Sequence, residues 1–108
     1  MSQARVVLVT HPPRGARAFA RALVAARLAA CVNLVPLDSV YAWRGRIERA
    51  RETLLVIKTT RVRLAALERH VAAHHPYDTP EFVAFTPVRV AAKYARWLRA
   101  ETVPAQRR

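Results

Sequence analysis

From Val40 to Thr60 the chain reads VYAWRGRIERARETLLVIKTT, and the reading of this segment decides the fold. Its first half alternates. Tyr41, Trp43, Gly45 and Ile47 fall on one face of an extended strand, with Val40, Ala42, Arg44, Arg46 and Glu48 on the other. Its second half, Glu52 to Thr60, is a strand that is apolar on both sides through Leu54, Leu55, Val56 and Ile57. Two such runs in succession form a hairpin, with its turn expected at Glu48 to Arg51. No Asn-Gly or Asp-Gly dipeptide pins that turn. At about 3.4 Å per residue the Tyr41 hairpin reaches roughly 30 Å, longer than a small domain requires. An aromatic, apolar ribbon of that length is a liability in a monomer. We expect it to be buried against other subunits.

The elements around the hairpin follow from periodicity. Val6 to Thr10 is a continuous β-branched apolar run, the sign of a covered strand, and Pro12 and Pro13 stop it. From Gly15 to Ala30 the apolar residues Ala16, Phe19, Ala20, Leu23, Val24 and Leu28 recur at helical spacing. Arg14, Arg17 and Arg21 are left to solvent, and Arg27 is expected in the last turn, where a cation suits the helix dipole. Cys31 to Val35 reads as a short strand closed by Pro36. Val62 to His74 is a second helix with Leu64, Leu67 and Val71 buried, ended by Pro76. Glu81 to Val88 is the fourth main strand, and Ala91 to Ala100 a terminal helix anchored by Tyr94, Trp97 and Leu98. This order predicts an α+β, ferredoxin-like βαββαβ sandwich with one extra C-terminal helix.

The 108 residues make one domain, with a core over about 5–100 and a basic tail over 101–108. Apolar residues make up 53% and charged residues 24%, which excludes a disordered chain. No run approaches the roughly 18 apolar residues that span a bilayer, and no signal-like segment opens the chain. A single cysteine cannot close an internal disulfide, so a cytoplasmic, reduced setting is expected. The net charge of +12 admits nucleic-acid binding. The arginines are dispersed rather than clustered, so a solvated surface is the preferred reading.

Several motifs in order resemble one family over nearly the whole length. Leu28-Ala29-Ala30-Cys31-Val32-Asn33, Tyr41-x-Trp43-x-Gly45-x-Ile47, Glu52 with Lys58-Thr59, and His75-Pro76-Tyr77-x-x-Pro80-Glu81 are similar to the words of the CutA divalent-cation-tolerance proteins, and Tyr94-x-x-Trp97-Leu98 closes the match. The resemblance implies a trimer of ferredoxin-like subunits whose long hairpins pair between neighbours. It implies clefts between subunits like those of PII signalling proteins, a part in tolerance of copper and other divalent ions, and no enzymatic reaction. The chain departs from the family pattern at Asp78, where glutamate is usual, in a shorter Pro87 to Tyr94 link, and in its basic surface.

The candidate chemistry is sparse. Cys31 is the one soft ligand, and with His75 and Asp78 it is a candidate for Cu²⁺ or another divalent cation; His11 is a further candidate. The competing readings are an inert packed thiol, a helix-ending His-Pro step and an Asx turn. No cofactor is required. Tyr41, Trp43, Lys58 and Glu81 are candidates for lining a ligand cleft, and Tyr41, Trp43 and Ile47 for the trimer interface. Lys58 interrupts an apolar strand, so Glu48, Glu52 or Glu81 is expected to pair with it. An acylphosphatase-like hydrolase would use Arg14-Gly15 and Asn33, but Pro12 and Pro13 remove the backbone donors of a phosphate cradle.

Overall fold

The computed structural model describes residues 3–104. Four strands and three helices follow in the order β1 (Ala4–His11), α1 (Ala16–Ala25), β2 (Cys31–Trp43), β3 (Arg46–Thr60), α2 (Leu64–His74), β4 (Val83–Phe85) and α3 (Ala92–Glu101), with a 3₁₀ turn at Arg61–Arg63 leading into α2. The sheet is antiparallel throughout, in the order β2-β3-β1-β4. That is the expected ferredoxin-like arrangement. No helix among the described residues is long and apolar enough to cross a membrane.

The hairpin turns earlier than its sequence suggests. Trp43 pairs with Arg46, so the loop is Arg44-Gly45 and not Glu48 to Arg51. Both loop residues have positive φ, +51° and +78°. Those angles suit a two-residue turn whose twist matches the flanking strands. The Arg44 guanidinium lies 5.2 Å from the Trp43 ring centre, a contact that helps hold a non-glycine residue there. The same register moves Ile47. It stands opposite Ala42, so it lies on the face away from Tyr41 and Trp43.

Strand pairing then sorts every side chain. Val7, Val9, Leu55 and Ile57 share the face that meets α1 and α2, and with Phe19, Leu23, Leu67 and Val71 they form the core. Each such side chain, fully buried, contributes about 1.5–3 kcal/mol. The other face carries Val6, Leu8, Leu54, Val56, Val35 and Phe85. No helix covers its middle, and Val35 and Phe85 remain 43% and 50% exposed. At one end α3 crosses this face. Ala4 and Thr60 are buried there, and the Thr60 and Thr102 hydroxyls lie 3.3 Å apart.

Several boundaries differ from expectation. Helix α1 ends at Ala25, and Arg27, with φ +60°, stands outside it. Its guanidinium instead donates to the Ala100 carbonyl at 2.6 Å and to the Val103 carbonyl, so the cation serves the C-terminal end of α3. Strand β2 runs unbroken through Pro36, which an edge strand tolerates. Strand β4 has only three residues. In α3, Leu98 is buried while Tyr94 and Trp97 are 40% and 43% exposed, and Val24 of α1 is exposed as well. Glu101 closes α3 and Thr102 is buried, its hydroxyl donating to the Leu98 carbonyl at 2.9 Å. Residues 105–108 of the expected basic tail lie outside the described residues. Thr59, one of the family words, is fully buried and donates to the Leu28 carbonyl at 2.7 Å, which ties the α1–β2 link to the sheet.

Beyond the His11–Thr53 pair, β2 and β3 have only each other. The Cα radius of gyration is 14.7 Å, against about 13 Å for a compact domain of this size, because that ribbon projects. Gly45→Ala puts a Cβ into open space, so its cost is backbone strain alone. We expect about 1 kcal/mol of destabilisation in urea unfolding, and an unchanged midpoint would contradict this turn.

Candidate functional site

Pro76 cannot continue α2, and it forces the residue before it into extended backbone. His75 accordingly leaves the helix at φ −76°, ψ 141°. This turns its imidazole back onto the sheet. Nε2–H donates to the Thr10 carbonyl at 2.8 Å, and Nδ1 accepts the Tyr77 amide N–H at 3.0 Å. The partners dictate the tautomer, since a carbonyl only accepts and an amide N–H only donates. Phe19, His11 and Tyr77 surround the ring, with centroids 5.6, 4.9 and 4.8 Å away. Burial pushes the His75 pKa below its usual 6.5, and although the Thr10 bond opposes the shift, the neighbouring His11 adds to it.

Pinned in this way, residues 76–81 rise over the open face beside the hairpin. The Tyr77 hydroxyl donates to Glu52 Oε2 at 2.7 Å, and the Thr10 hydroxyl to Glu81 Oε1 at 3.5 Å. Burial, reinforced by the Glu52 carboxylate, holds the Tyr77 hydroxyl well above its usual pKa. Burial also raises the Glu81 carboxyl; the Thr10 bond works against that and the Glu52 charge works with it. Between this loop and the ribbon lies an open cleft of about 680 Å³. Tyr41, Trp43 and Tyr77 give it aromatic walls, and Glu52, Asp78 and Glu81 give it carboxylates.

Tyr41, Trp43, Asp78 and Glu81 are thus brought together. The other candidates are not. Cys31 pairs with Lys58 across β2 and β3, roughly 34 Å along the strand from Tyr41 at 3.4 Å per residue. Lys58 has none of its expected carboxylate partners: among the described residues the ion pair is Arg51 with Asp38, and both are exposed enough for it to contribute little. His11 is buried between Phe19 and His75, not facing the cleft, with Nδ1 2.8 Å from the Pro12 carbonyl oxygen. His75 has both ring nitrogens engaged, so no lone pair is free for an ion. Among the described residues no three His, Cys, Asp or Glu side chains gather as a metal site, and Cys31, His75 and Asp78 form none within one chain. Asn33 lies near the start of β2 on the open face, away from Arg14-Gly15 at the start of α1. The sequence reading missed Tyr77 as the residue that covers Glu52. The signal available was a tyrosine just past a helix-ending His-Pro step.

The profile of the family described as CutA1 divalent ion tolerance protein matches residues 5–101. The chain belongs to this family. The divalent-cation tolerance protein CutA of Thermus thermophilus is 46% identical over 99 residues, covering 90% of this chain and 96% of that one. The chloroplastic protein CutA of Arabidopsis thaliana is 44% identical over 99 residues, which are 90% of this chain but 54% of the plant protein. The chain therefore spans about half the length of the plant and animal relatives it matches and nearly all of the Thermus one. The structure of a PII-like protein CutA from Nostoc in its apo form superposes with a TM-score of 0.90 at 30% identity, covering 94% of this chain and 99% of that one. The PII-like likeness of the fold is therefore shown.

Two measurements test this geometry. Because the folded His75 pKa lies below 6.5, the unfolded chain binds more protons between the lowered value and 6.5. Stability should therefore fall as pH drops through about 6.5, and burial of His70 acts in the same direction. Thermal melts from about pH 8 down to pH 5 check this, and a flat profile would contradict it. Tyr77→Phe leaves the 6%-exposed Glu52 without its donor. It should cost about 1–3 kcal/mol in urea unfolding, much of which Glu52→Gln in the same chain should restore.

Proposed function

We propose that the chain assembles as a homotrimer and takes a divalent cation such as Cu²⁺, or a small ligand, in the cleft beside the hairpin, without catalysing a reaction. The observation that carries this reading is the placement of the carboxylates. The chain has seven acidic residues against nineteen basic ones, yet Glu52, Asp78 and Glu81 line one cleft. Burial and the Glu52 charge raise the Glu81 pKa, and a bound cation would relieve that repulsion. Carboxylate oxygens with water in the remaining positions suit hard and borderline divalent ions. On this reading Asp78, Glu52 and Glu81, which do not gather as a chelate within one chain, draw the cation into the cleft by their charge and hold it through its water shell, and His75 positions the loop that carries Asp78. The naming of the Thermus relative for divalent-cation tolerance supports it.

Two features support the assembly. A two-stranded ribbon is marginally stable alone in water, and here it extends past β1 with Tyr41 and Trp43 exposed. The apolar open face likewise lacks a cover over Val35, Val83 and Phe85. A second and third copy of the chain would bury both and would close the cleft, which a single subunit leaves open. The lone cysteine suits a reducing compartment, so we place the protein in the cytoplasm.

Native mass measurement with and without added Cu²⁺ should give three chains and saturable ion binding. Asp78→Asn with Glu52→Gln should weaken that binding at least about tenfold, and Phe85→Arg should release single chains. A wild type that stays a folded monomer, or that binds no ion saturably, overturns the corresponding half of the reading.

A further inference from the structure

The chain has four histidines, and two of them are committed to packing and hydrogen bonds around Phe19 and Thr10. The other two lie on α2. His70 and His74 stand four residues apart on the last turn of α2, the spacing that stacks side chains on one helix face. Their ring centroids are 4.2 Å apart, with the planes inclined by 26°. His74 Nδ1 lies 3.0 Å from the His70 carbonyl oxygen. That nitrogen therefore carries the proton and donates, which leaves the lone pair on Nε2. The His70 ring leans its edge on Phe19, with centroids 6.0 Å apart, and has no hydrogen-bond partner among the described residues.

We propose that His70 and His74 form a two-imidazole chelate for a borderline divalent transition-metal ion, Cu²⁺, Ni²⁺ or Zn²⁺, at the C-terminal turn of α2. Imidazole nitrogen is the ligand these ions prefer over carboxylate alone. The rings are stacked as they stand, so an ion is taken when the His70 ring, which no hydrogen bond among the described residues holds, turns its lone pair toward His74 Nε2, with water in the remaining positions. The bond from His74 Nδ1–H to a backbone carbonyl is the kind of outer contact that fixes the tautomer and ring orientation of a metal-bound histidine. The negative end of the α2 dipole favours a cation at this turn. The pair lies on α2, on the helix side of the sheet, whereas the carboxylate cleft opens on the other face. The two sites are independent.

Cu²⁺ added in equal amount to the full chain, followed by electron paramagnetic resonance and calorimetry, tests the chelate. The wild type should show coupling to two equatorial nitrogens. His74→Ala, a change at an exposed residue, should lose the two-nitrogen pattern and weaken binding at this site at least about tenfold with the melting curve unchanged. His74→Gln should behave in the same way. Asp78→Asn with Glu52→Gln should keep the pattern, which separates this site from the cleft. A two-nitrogen signal that survives both His74 variants, or a wild type without one, overturns the proposal.

Discussion

The register between β2 and β3 governs the rest of the structure. Two consecutive residues of positive φ, Arg44 and Gly45, set it by placing Trp43 opposite Arg46. Side chains alternate with a period of two, so a slip of one residue would exchange the faces of the whole hairpin. In the observed register Leu55 and Ile57 enter the core, and Glu52 comes to the open face opposite Leu37, where Tyr77 covers it. Tyr41 and Trp43 fall on the same side and make the cleft's outer wall. The cleft is thus a consequence of a two-residue turn at the far tip of the molecule.

A second anchor works from the opposite direction. His75 lies at the junction of a helix and a proline, and it is the residue before proline that must adopt extended backbone. Its imidazole bridges the Thr10 carbonyl and the Tyr77 amide, so β1 and the loop are joined through one ring. A histidine with both nitrogens spent cannot be a ligand, yet it decides where Asp78 and Glu81 stand. Its place in the family word is explained by this bridging.

The two readings of ion chemistry divide by donor type. The cleft offers carboxylate oxygens held close enough to repel one another, while α2 offers two imidazoles, one of them with its tautomer set by a backbone carbonyl. The +12 charge is spread over the surface and is screened beyond about 8 Å at physiological salt. Local arrangement therefore outweighs the net charge at either site.

Much of this was legible beforehand. Helical spacing located Ala16, Phe19, Leu23, Leu67 and Val71 in the core, and apolar runs located β1 and the second half of β3, because burial imposes a period that a single segment displays. The motif words identified the family, and the alternation around Tyr41 announced a long ribbon. What only the tertiary structure decided were relations between segments. The turn fell at Arg44-Gly45, Arg27 served α3 instead of its own helix, Lys58 came opposite Cys31 in the strand register with no carboxylate among the described residues to pair with, and His11 went inside. Periodicity records which face of an element is buried. It carries no record of which distant segment arrives there, since pairing register and hydrogen-bond partners are set when separate elements close on one another in space.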